Sequence, residues 1–175
     1  MPQKKPWIER SFAFDLPISM FPNVLERLRG TPARIAERIH GLPPNLLGKQ
    51  AGGSWSILQT IGHLIQIDGL WLLRLDDYDA GLKTLRPADM SNRATEEADY
   101  NQAEPGALLA GFRQVRGQFV RRLESLDDES VARSAHHPRL NQPMRVLDLM
   151  VFAAEHDDHH LARISELLRT LDSVT

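Results

Sequence analysis

Apolar residues recurring every three or four positions constrain this chain more than any other feature. Leu108, Phe112, Val115, Phe119, Leu123 and Leu126 keep that spacing without a break. It lines one face of an α-helix and suits no strand. Three other stretches repeat the pattern. Val24, Leu28, Ile35 and Ile39 mark a first helix from about Asn23. Gly30 is expected to interrupt it, Thr31-Pro32 to restart it as cap and first helical residue, and Leu42-Pro43-Pro44 to end it. A second helix starts near Ser54 or Ser56, either of which can cap it, and runs to about Tyr78. The third runs from about Pro105 to Leu126 and the last from about Met144 to Leu171. Four substantial helices with little strand signal predict an all-α chain, a four-helix bundle.

The remaining segments connect these helices. Phe12, Phe14 and Leu16 alternate, and Pro17 and Pro22 punctuate, so residues 1–22 read as an arm with a short extended piece. Residues 79–103 read as a polar loop. The run Ser134 to Pro143 is too rich in proline and polar groups for a helix. The 175 residues are expected to form one domain, 1–175, able to bury a respectable core. With 21 basic and 23 acidic residues, no charge excess points to nucleic acid. The absence of cysteine excludes disulfides and thiolate ligands and is compatible with a reducing compartment. Met-Pro-Gln-Lys-Lys-Pro-Trp lacks the apolar run of a secretory signal, and no stretch approaches the roughly 20 apolar residues of a membrane span. A soluble, cytoplasmic protein with no membrane partner is expected.

Chemistry concentrates in Ala154-Glu155-His156-Asp157-Asp158-His159-His160. A spacing of four puts His156 and His160 one turn apart on the same side of a helix. They align with Leu149, Ala153, Ile164 and Leu167, while His159 falls with Asp148, Glu155 and Glu166 on a polar strip facing solvent. His63 sits in the second apolar helix, sharing a side with Ile67, Leu70 and Trp71. Three neutral imidazole nitrogens would leave a divalent ion an open position, an arrangement of reactive rather than structural sites. The competing reading makes all three core histidines with ordinary hydrogen-bond partners.

Two acids fall on apolar arcs: Asp68 with Leu64, Ile57, Leu75 and Ile61, and Asp157 with Met150, Leu161, Ile164 and Leu168. A buried carboxylate is costly unless paired. Each is a candidate general base or a partner that orients a ligating imidazole, against an ordinary ion pair with an arginine such as Arg74 or Arg163. Asp157 also makes a His-Asp-x-x-His pattern near the His-Glu-x-x-His of zinc proteases, but with a shorter acid and no evident protease strands. His40 suits a helix C-terminus. His136 and His137 sit in a loop that could cover the site's mouth, or form an exposed turn. Arg34, Arg38, Arg113, Arg116, Arg121 and Arg122 read as solvated helix faces.

Three stretches resemble the DinB superfamily. They are Leu28-Arg29-Gly30-Thr31-Pro32-Ala33-Arg34, then Ser54-Trp55-Ser56-Ile57-Leu58-Gln59-Thr60-Ile61-Gly62-His63-Leu64, and His137 to Leu149 followed by Ala154 to Ile164. The resemblance implies an up-down-down-up bundle with a divalent metal on one histidine of the second helix and two of the last, here His63, His156 and His160. Similar proteins are assigned as hydrolases, or as transferases joining low-molecular-weight thiols to electrophiles; the family's frequent dimers suggest a homodimer.

The expected function is a metal-dependent enzyme acting on a small-molecule substrate. Hydrolysis is preferred; a thiol S-transferase is the alternative, and a metal-stabilised binding or stress-response module is the non-enzymatic rival. Zinc or nickel is the preferred metal, with iron or manganese also compatible. A wide pocket above the nitrogens would favour the enzyme; a filled one would favour the module.

Overall fold

The computed structural model describes residues 5–51 and 53–172. Its elements in order are α1 (Phe21–Ile39), α2 (Pro44–Leu47), α3 (Ile57–Asp79), α4 (Arg93–Glu97), α5 (Pro105–Glu124), α6 (Asp128–Ala132), the strands β1 (Ser134–His137) and β2 (Gln142–Arg145), and α7 (Val146–Asp172). The long helices α1, α3, α5 and α7 form the four-helix bundle.

Contacts along the helices set their directions. Ascending α1, Arg27 reaches Asp158 and Arg38 reaches Ser165, so α7 ascends with it. Ascending α3, His63 meets His156 while Tyr78 bonds the Met144 carbonyl, so α7 runs against α3. Asp68 pairs with Arg116 and Asp76 with Arg122, so α3 and α5 run together. The topology is up-down-down-up.

Local signals account for the helix ends. Ser56 caps α3 in a capping box with Gln59, and Ser54 is left to bond Arg163. Glu104 caps α5 by accepting from the Ala107 amide at 2.7 Å. The expected break in α1 does not occur; the helix runs unbroken through Pro32. A proline inside a helix orphans the carbonyl four residues back, here that of Leu28. Arg116 donates to that carbonyl at 2.8 Å from across the bundle.

In the arm, Phe12, Phe14 and Leu16 alternate as half-buried residues with exposed neighbours, and they pack on the chain's own core. The arm's apolar residues are therefore used within this chain. The loop 79–103 is more ordered than its composition suggested. It contains α4, and its Leu85 amide bonds the His136 carbonyl at 3.0 Å, extending the β1–β2 hairpin. No described helix is long and apolar enough to cross a membrane.

Two apolar clusters fill the bundle, one around Leu28, Trp71, Phe119 and Ala154, the other around Ile35, Leu64, Phe112 and Leu161. Between them lies a polar layer with one residue from each long helix. Arg116, 2% exposed, bonds both oxygens of Asp68 at 2.7 Å and those of Asp157 at 2.6 and 3.0 Å. Thr31 donates to Asp157 at 2.7 Å. Arg116 is thus not on a solvated face, and it takes the place expected of Arg74 or Arg163 as partner of the two acids. Burial opposes its charge, but Asp157 and Asp68 hold the guanidinium above its ordinary pKa.

Candidate metal centre

The centre lies beside this polar layer, where α3 and α7 face each other. His63 Nε2 is 3.4 Å from His156 Nε2, and His160 Nε2 is 3.2 Å from His156 Nε2. One ligating atom from each ring lies within 4.8 Å of the others, and all three residues are buried. Two nitrogens at about 2.05 Å from one tetrahedral ion are about 3.3 Å apart. The observed spacing therefore fits a shared divalent ion better than three independent core histidines.

The His63 ring is held from outside. His63 Nδ1 meets Thr95 Oγ1 at 3.3 Å, and Thr95 donates its own proton to Gln66 Oε1 at 2.6 Å. Thr95 therefore faces His63 as an acceptor, which keeps the ring proton on Nδ1 and a lone pair on Nε2. Gln66 is fixed in turn by Tyr100 Oη at 2.9 Å. Tyr100 lies flat against Gly62, where any Cβ would overlap its ring. Trp55 packs on His63 at 4.8 Å between centroids, and Trp7 meets His156 edge-on at 5.0 Å.

Thr95, Gln66 and Tyr100 were not singled out in the sequence. Thr95 lies in the segment read as a polar loop, and only the chain's return over α3 brings it to the ring. The two candidate acids are occupied by Arg116, and for Asp157 also by Thr31. Asp157 lies between the two α7 histidines in sequence, so this ion pair fixes the turn that carries them. His159 is not simply solvent-facing; it is half-buried against Trp7 at 5.7 Å. His137 is in a strand rather than an exposed turn, and is 2% exposed. His40 is exposed at the end of α1.

The three nitrogens open on a cavity of about 480 Å³, within the range of small-molecule sites. Its apolar walls include Trp7, Trp55, Ile67, Trp71, Met90 and Phe152; Arg74, His137 and Arg139 also line it.

Burial pushes the His63 pKa down to about 4. Burial, then the neighbouring Arg74, pushes that of His137 down to about 3. Burial, then His63, holds His156 well below the usual value. Below about pH 6.5 the unfolded chain binds protons on these rings that the folded chain refuses, so acidification removes stability. Asp68 acts in the opposite sense: burial raises its pKa, and acid relieves a buried charge. Three rings against one carboxyl leave a net loss. The metal-free protein is expected to melt at lower temperature at about pH 5 than at about pH 7 by scanning calorimetry. An unchanged or higher Tm would contradict this.

Comparison with known proteins gives consistent findings. A family model described as the DinB superfamily matches residues 27–164. YfiT of Bacillus subtilis (strain 168), named a putative metal-dependent hydrolase, is 23% identical over 149 residues, covering 84% of this chain and 83% of that protein. The solved structure of Bacillus subtilis YfiT, described as a probable metal-dependent hydrolase with an unusual four-helix bundle topology, superposes with a TM-score of 0.82. It is 21% identical, with 94% of each chain covered.

Proposed function

This chain belongs to the DinB superfamily, and from that membership we propose that it is a metal-dependent hydrolase of a small substrate. The observation that carries the reading is the convergence of three imidazole nitrogens at the floor of an open cavity. His63, His156 and His160 would hold a divalent ion, zinc or nickel in preference to iron or manganese. Such an ion, when bound, lowers the pKa of water toward neutrality and polarises a carbonyl.

The chain's own residues do the rest. Thr95 sets the His63 tautomer. Trp7, Trp71 and Phe152 exclude water from the cavity wall and receive the non-reacting part of the substrate. We assign Asp68 and Asp157 a positioning role through Arg116 in place of proton transfer, because both carboxylates are bonded to its guanidinium.

The test is a screen of the zinc- and nickel-loaded protein against p-nitrophenyl esters and anilides, before and after chelation. Hydrolysis that disappears with the metal and in His156→Ala supports the reading. Metal-dependent consumption of a low-molecular-weight thiol with an electrophile, and no hydrolysis, would move the chain to the transferases. Silence in both screens would leave a metal-stabilised module.

Thr95→Val is expected to weaken metal affinity about 10- to 100-fold in a chelator competition, and Thr95→Ser to restore most of it. Equal affinity in Thr95→Val would remove Thr95 from the site.

A further inference from the structure

Among the described residues, two cations at this cavity have no acid bonded to them. Arg74, 1% exposed, commits Nε and Nη2 to the Arg86 carbonyl at 3.1 and 3.0 Å and turns Nη1 toward His137 Nε2 at 3.0 Å. A guanidinium only donates, so His137 Nε2 accepts from Arg74, a neutral partner that brings no opposite charge. Asp77, three residues along α3, is gripped by Arg86 instead.

Arg139 is the second cation. Among the described residues, its Nη1 makes a long 3.4 Å contact with the Ile8 carbonyl, and its Nη2 is buried with no hydrogen-bond partner. The guanidinium lies over the rings of Trp7 and Phe152, at 5.9 and 5.5 Å. The acid in the cavity lining is Asp89, whose oxygens accept from Ser91 and the Arg93 amide. Desolvation lowers the pKa of both arginines, and for Arg74 it outweighs the nearby Asp77. Arg74 is buried and Arg139 half-buried, and a desolvated cation with no bonded acid is costly to the fold. A ligand that brings the missing charge recovers that cost on binding.

We propose that the substrate carries a carboxylate, received by the free edge of Arg139 with Arg74 adding a second positive charge from the cavity wall. A guanidinium edge matches a carboxylate bidentately. Arg139 and His156 lie against the same Trp7 ring, the latter at 5.0 Å between centroids. The carboxylate and the reacting bond are therefore separated by about one aromatic ring, and the walls suit an apolar or aromatic body between them. This rests on the hydrolase reading only for the place of the reacting bond; the carboxylate seat stands on the arginines.

All 3 tryptophans of the chain, Trp7, Trp55 and Trp71, line the cavity, so intrinsic fluorescence reports its occupancy. The full chain, zinc-loaded and again metal-free, is titrated with 3-phenylpropanoate and with its neutral amide. The carboxylate is expected to bind at least about tenfold more tightly in both states. Arg139→Gln should remove that preference, and Arg139→Lys should keep part of it, with the fold of each variant checked by circular dichroism. Equal binding of acid and amide to the metal-free protein would overturn the proposal. So would a preference that needs zinc and ignores Arg139→Gln, because the carboxylate would then sit on the metal. A preference that depends on Arg139 in a protein that hydrolyses nothing would support the seat while removing the hydrolase reading.

Discussion

Arg116→Met is expected to destabilise the fold by about 3–5 kcal/mol, which approaches the whole stability of an ordinary domain. The side chain's volume is kept, so the loss is electrostatic. Without the guanidinium, Asp68 and Asp157 face each other uncompensated in the bundle's centre, and the Leu28 carbonyl freed by Pro32 loses its donor. Urea unfolding measures the effect, with soluble yield as the readout if no folded protein is recovered. Asp68→Asn combined with Arg116→Met should recover part of the loss, since it removes one unpaired charge. A loss under about 1 kcal/mol in Arg116→Met would mean that the polar layer is solvated and that its ion pairs do not hold the bundle together.

Metal occupancy is expected to fall from one ion per chain to near zero in His63→Ala, His156→Ala and His160→Ala. His159→Ala should retain it. The three inner nitrogens lie within 4.8 Å of one another, whereas His159 sits on the next face of α7 against Trp7. Removing one of three ligands leaves two imidazoles, which bind a divalent ion too weakly to survive dialysis. Elemental analysis of untagged protein, purified without added metal and then reconstituted, gives the count. Loss in His159→Ala with retention in His160→Ala would reverse the assignment. The same samples should show a metal-dependent rise in Tm for wild type and none for the three alanine variants, because a ligand bound only by the folded state stabilises it.

Periodicity determined the number and order of the long helices, and cap residues and prolines their approximate ends. It also turned His63, His156 and His160 inward, because a side chain's direction on a helix follows from its place in the chain. The alternation of Phe12, Phe14 and Leu16 was equally local and held in the arm. Arg116 shows where such reasoning stops. It lies four residues after Phe112 and three before Phe119, on the edge of the buried stripe, where the pattern allows either solvent or core. Only the packing of α5 against α1 and α3, with α7 across the bundle, decides for the core, because it brings two buried carboxylates within hydrogen-bond reach. The same holds for Pro32, which breaks a helix in isolation and is accommodated when another helix supplies the missing donor. Thr95, Gln66 and Tyr100 carry no period at all. Their grip on His63, and the gathering of Arg74 and Arg139 at one cavity, depend on a loop and a hairpin folding back over the bundle. Contacts between residues far apart in the chain are set by tertiary packing, and no local spacing encodes them.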